Sequence, residues 1–86
     1  MGKNEKILDS ILRGTSDANI SFKDLRKIPK ALGFAERVRG DHFIYTKSQI
    51  EEILNIQPIG ALAKAYQVKQ VRAVILKYKL GELHGR

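Results

Sequence analysis

The apolar residues of this chain change their period twice. Ile7, Leu8, Ile11 and Leu12 recur at helical spacing, as do Phe22, Leu25, Ile28 and Leu32. Between Phe34 and Gln57 the repeat shortens to two, in the runs FAERVR, HFIYTK and ILNIQ. From Val68 to Tyr78 helical spacing returns, with Val68, Val71, Val74, Ile75 and Tyr78 on one face. A period of two presents an apolar face only to an extended strand, so the middle of the chain is committed to β structure between helices. The expected order is α-α-β-β-β-α. Eighty-six residues leave no room for a second core, so residues 1–86 read as one α+β domain. Its three-stranded antiparallel sheet carries the helices on one face.

Turn and cap residues punctuate this pattern. Asn4 is a candidate cap for the first helix and Gly14 its stop, so residues 1–20 form an N-terminal helix and the turn GTSDAN. Ser21 and Asp24 make a capping-box pattern, and Ile20 and Leu25 stand at the positions of a hydrophobic staple, which starts a second helix at Phe22. Pro29 is expected to kink that helix and Gly33 to end it. Gly40-Asp41 joins the first two strands, SQIEE joins the second and third, and PIGALAKAY leads to the last helix. Lys69, Gln70 and Lys77 face away from that helix's apolar stripe, and Lys77 and Lys79 suit its C-terminal end. Gly81 is the expected stop, and residues 82–86 read as a frayed tail.

Alternation assigns faces within the sheet. Phe43 and Tyr45 bury more apolar area than Ile44 can, so they take the helix-facing side and leave His42, Ile44 and Thr46 on the other. By the same rule Phe34 and Val38 face the core opposite Arg37 and Arg39, and Leu54 and Ile56 face it opposite Ile53, Asn55 and Gln57. Ile44 and Ile53 then form a small exposed apolar patch rimmed by polar groups, as at a protein-binding surface. An isolated histidine on such a face is ordinarily a solvated or turn-bonded side chain, and alternation alone assigns His42 nothing more.

Charge narrows the partners. Sixteen basic and nine acidic side chains give +7 at neutral pH. The excess is concentrated in two blocks, residues 20–47 with seven basic and three acidic groups, and residues 67–86 with five basic and one acidic. A polyanion is the natural partner of such a chain, because each phosphate contact releases condensed counterions. The chain has no cysteine and two histidines far apart, which leaves no thiolate or all-histidine metal site and implies no metal or other cofactor. No apolar run reaches the roughly 20 residues of a membrane span, and a cytoplasmic protein without a membrane partner is expected.

Three segments, LGF, RGDHFIYTK and YQVKQVRAVILKY, occur in an order and spacing that resemble the HicA family of toxins from bacterial toxin–antitoxin pairs. The resemblance runs from SDANISFKDLRKIPKALGFAERVRGDHFIYTK through ILNIQP to AYQVKQVRAVILKYKL, nearly the whole chain. It implies a fold like a double-stranded-RNA-binding domain, a ribonuclease that cleaves messenger RNA, and a HicB-like antitoxin that masks it. Where that family carries Gly-Ser-His-His, this chain carries Gly40-Asp41-His42-Phe43, so the catalytic role passes to His42. Lys64 remains from the family's basic loop in the otherwise altered GALAKAY segment. Without a metal, the simplest chemistry is attack by the adjacent 2′-hydroxyl on the scissile phosphate, with His42 as base, since an imidazole ordinarily titrates near pH 6.5. Arg37, Arg39, Lys47 and Lys64 are then the expected RNA contacts, and Ile44 and Ile53 the expected antitoxin contacts. Lys47, Tyr45 and His84 are the available general acids, and none is well placed by sequence. The alternative is a non-catalytic RNA-binding module of the same fold, with a pure interaction protein as a third reading.

Overall fold

The computed structural model describes residues 2–81. Its elements are α1 (Lys3–Arg13), a single 3-10 turn (Asp17–Asn19), α2 (Phe22–Ala31), β1 (Ala35–Arg39), β2 (His42–Lys47), β3 (Ile50–Ile56), β4 (Pro58–Ile59), β5 (Leu62–Ala63) and α3 (Ala65–Lys77). The three long strands form an antiparallel sheet in the order β1-β2-β3, so the principal elements follow α-α-β-β-β-α as their periodicity requires.

Local chemistry sets the helix ends. The cap of α1 is Gly2 rather than Asn4, because the Glu5 carboxylate reaches back to accept from the Gly2 N–H at 2.8 Å. At the other end Gly14 takes the left-handed φ of 73°. In α2 the Ser21 hydroxyl accepts from Asp24 N at 3.1 Å, and Ile20 and Leu25 are both buried, as a staple requires. This helix carries on through Pro29 for two residues. It closes with Phe34 N donating to Pro29 O and Gly33 N to Lys30 O, the paired bonds of a Schellman motif with Gly33 at φ 95°. Gly81 does not stop α3. That helix ends at Lys77, and Lys79 takes a left-handed φ of 56°. The expected tail, residues 82–86, lies outside the described residues.

Helices and sheet share one core. Ile11, Leu25, Ile28, Tyr45, Ile56, Val68 and Val71 are almost completely buried, joined by Ile7, Leu8, Phe22, Phe34, Leu54, Val74 and Ile75. Burying one such aliphatic side chain stabilises the fold by about 1.5–3 kcal/mol. Helix α2 lies against β1 and β2, and α3 against β3. Among the described residues no helix covers the second face of the sheet, and Arg37, Arg39, His42, Thr46, Ile53 and Asn55 are exposed there. Val38 shares the helix-facing parity but is 48% exposed, because it sits near the end of the edge strand β1.

Two connections differ from the expected ones, and one side-chain fastening is added. β3 begins at Ile50 rather than Ile53, after the two-residue turn Ser48-Gln49 in which Gln49 holds φ 71°. PIGALA is a second hairpin, β4–β5, turned at Gly60 with φ 61°. It docks on the segment before α2, with Phe22 N donating to Ala61 O and Ala63 N to Ile20 O. Finally, Arg72 of α3 grips Asp17 with two bonds of 2.9 and 3.1 Å and gives a third, of 3.1 Å, to Ile11 O. That fastening fixes α3 to the C-terminal end of α1.

Candidate functional site

The open sheet face is a grid set by strand register. Arg39 pairs with His42 across the hairpin, Arg37 pairs with Ile44, and Ile44 pairs with Asn55 on β3. Directly opposed residues on one face lie close enough to interact. His42 is therefore paired in register with Arg39 on β1 and sits beside the amide side chains of Asn55 on β3 and Gln57 just after it. It stands beside a two-residue turn in which Gly40, the first loop residue, holds φ 61°, the pattern of a type II′ hairpin.

Hydrogen bonds orient the imidazole. Nδ1 lies 3.3 Å from Asn55 Oδ1, and Nε2 lies 3.2 Å from Gln57 Nε2. The carboxamide oxygen of Gln57 accepts from Lys64 Nζ at 3.3 Å, which leaves its NH2 group facing the histidine. Only one assignment satisfies this chain: Lys64 donates to Gln57, Gln57 donates to His42 Nε2, and His42 Nδ1–H donates to Asn55. In that arrangement Nδ1 carries the proton and Nε2 is the accepting nitrogen. The Asp41 carboxylate stands 3.8 Å from that nitrogen, so an imidazolium formed there would have an anion beside it. The His42 side chain is about half exposed, and the lone pair is open to a ligand that displaces Gln57.

The strand that presents Asn55 and Gln57 is itself held from α3. Gln67 is buried, its Oε1 accepts from Gln57 N at 2.9 Å, and its Nε2 donates to Asn55 O at 3.1 Å. Its side-chain amide thus pairs with the free edge of β3 as a neighbouring strand would. Beside this seam runs an open groove of about 260 Å³ lined by His42, Ile53, Asn55, Gln57, Tyr66, Gln67 and Gln70.

The candidate residues separate into those the fold gathers and those it does not. His42, Arg37 and Arg39 share the open face, and Lys64 reaches it through Gln57. Lys47 does not join them. It has the parity of Phe43 and Tyr45, and its Nζ lies over the C-terminal end of α2, where a Cβ on Gly33 would come within 2.7 Å of it. Ile53 is 65% exposed as expected, but Ile44 is half-buried because Arg37 and Asn55 flank it in register. Tyr45 points into the core, and His84 lies outside the described residues.

Sequence reasoning passed over Asn55 and Gln57 as partners of His42, and it did not single out Gln67 or Glu36. Glu36 lies on the helix side of β1, where Arg26 binds it through two bonds of 2.9 and 3.3 Å and Tyr45 donates to it at 2.6 Å. These bonds hold its carboxyl down at about 2, and burial together with Glu36 raises the Tyr45 hydroxyl far above the ordinary phenol range. Arg26 also covers the Phe43 ring at 4.5 Å, and Phe43 meets Phe22 edge-on at 4.9 Å. Phe43 is thus a packing residue. Among the described residues no three of His, Asp and Glu gather into a metal-binding group, and no helix is long and apolar enough to cross a membrane.

Comparison with protein-family models, with curated proteins and with solved structures finds no match to this chain.

Proposed function

We propose that this chain is a metal-independent endoribonuclease of the HicA type, the toxin of a toxin–antitoxin pair, acting on messenger RNA in the cytoplasm. The observation that carries this reading is the His42 imidazole, about half exposed, held between Asn55 and Gln57 and paired in register with Arg39 on an open face of a basic chain. The resemblance in LGF, RGDHFIYTK and YQVKQVRAVILKY supports it from the sequence side.

On this reading the reaction is a transesterification within the RNA strand. An RNA 2′-hydroxyl displaces the Gln57 amide from Nε2 and gives its proton to that nitrogen. The 2′-oxygen bonds to phosphorus as the bond from phosphorus to the 5′-oxygen breaks, leaving a 2′,3′-cyclic phosphate and a 5′-oxygen that takes a proton. Lys64 is the ammonium nearest His42 through the Gln57 bridge, and with Gln57 displaced it is free to donate that proton. Arg39, with Arg37 one row further along, opposes the charge that grows on the phosphate oxygens. A HicB-like antitoxin would inhibit by covering this face, with the exposed Ile53 as its anchor and half-buried Ile44 contributing less.

His42→Ala is the test. It should slow RNA cleavage by about 10²-fold or more and abolish growth arrest, while the fold survives because the side chain is exposed. A folded His42→Ala chain that cleaves at the native rate would reject the assignment and leave the basic face as a binding module alone.

A further inference from the structure

We infer that the groove beside His42 is a subsite for one unpaired nucleobase, stacked on Tyr66 and read by Gln70, so that the substrate is single-stranded RNA or an unpaired loop. The inference deepens the ribonuclease reading and rests on it for the identity of the ligand.

Three features of the groove point to a base. Tyr66 is 57% exposed, whereas the hydroxyls of Tyr45 and Tyr78 are bonded to Glu36 and Glu52. Among the described residues the Tyr66 hydroxyl has no partner, so packing does not account for the ring at this position. Ile53, 65% exposed, also lines the groove and supplies a second apolar surface. An aromatic ring and an aliphatic side chain lining one open groove suit a flat ligand laid against them.

The polar lining suits the edge of such a ligand. Of the four amides there, Asn55 and Gln57 are engaged with His42, and Gln67 with the β3 backbone. Gln70 is exposed and enters none of these bonds, so its donor and acceptor are free to read a base edge, as side-chain amides do. Its volume, about 260 Å³, is below the roughly 300–1,000 Å³ of drug-sized pockets and suits a single base. Among the described residues no carboxylate lines the groove itself, although Asp41 stands 3.8 Å from His42 at its rim; Lys64, bonded to Gln57, and Arg39, paired in register with His42, are the cations available to a phosphate linked to the seated base. A base held in a duplex is already stacked on both faces and is not available to Tyr66.

The test measures affinity without cleavage. The native chain is titrated with three labelled probes of equal length at fixed salt: a 2′-O-methyl single strand, the same strand made abasic, and its duplex. Stacking on one aromatic ring predicts that the base-bearing single strand binds about 10-fold or more tighter than the abasic strand or the duplex. Tyr66→Leu should erase that difference and Tyr66→Phe should keep it. Gln70→Ala should flatten the preference among homopolymers. Equal affinity for base-bearing and abasic strands, or full discrimination by Tyr66→Leu, would overturn the subsite. Discrimination without cleavage of unmodified RNA would retire the ribonuclease reading and leave the subsite standing, and cleavage without discrimination would do the reverse.

Discussion

At the scale of single residues the site depends on side chains that touch His42 or hold what touches it. Asn55 accepts from Nδ1 and so fixes which nitrogen keeps its lone pair. Nitrogen NMR of the native chain should therefore show His42 protonated on Nδ1, and Asn55→Ala should lose that bias. An unchanged tautomer in the variant would remove Asn55 from the account. Gln67 acts one step further away. Gln67→Ala leaves Gln57 N and Asn55 O without their partner, a cost of about 1–3 kcal/mol, and should lower the melting temperature while loosening the strand beside His42. A variant as stable as the native chain would show that water replaces the amide at no cost. These residues were only partly legible in the sequence. Alternation placed His42, Asn55 and Gln57 on one face, but the bonds among them depend on a register that no local pattern encodes. Gln67 looks like any polar helix residue until α3 is laid on the edge of β3. Lys47 lies at the end of the same strand as His42 but has the parity of Phe43 and Tyr45, which places its Nζ near Gly33 and away from the open face.

At the scale of elements, two charged fastenings join what the core alone would leave loose. Glu36 ties β1 to α2 through Arg26 and to β2 through Tyr45, and its carboxyl is depressed from 4.5 to about 2 by those bonds. A carboxyl lowered by folding stabilises the fold above its unfolded value and loses that contribution as pH falls through the folded one. Because the Arg26 side chain is 41% exposed, the contribution is discounted to about 1–2 kcal/mol. Stability should drop between pH 4.5 and 2, and Glu36→Gln should flatten part of that slope. Acid unfolding of the variant that superimposes on the native curve would contradict the shift. The second fastening is Arg72 on Asp17, whose side chains are 19% and 12% exposed. Arg72→Ala should cost about 2 kcal/mol, a fall in melting temperature on the order of 10 °C, and a change within about 2 °C would show the pair to be ornamental to stability. Periodicity and capping residues announced all three helices and the long strands. The β4–β5 hairpin leaves no trace in the pattern because two-residue strands have no period to detect, and the start of β3 is hidden because its turn uses Gln49, not glycine, in a left-handed conformation.

For the whole molecule, the fold divides its labour between the two faces of one sheet. One face carries the helices and the shared core, and the other presents His42, Arg37, Arg39 and Ile53, with no element above them among the described residues. On the proposed reading, RNA and an antitoxin compete for that second face. The most direct test of the central claim uses one RNA of defined sequence, cut in the presence of a strong metal chelator, with its ends identified by mass. Cleavage through His42 and the 2′-hydroxyl predicts a 2′,3′-cyclic phosphate and a 5′-hydroxyl at the cut, and no cut where a single 2′-deoxynucleotide replaces the residue before the scissile bond. Cleavage that persists at the deoxy position, or that leaves a 5′-phosphate, would contradict it.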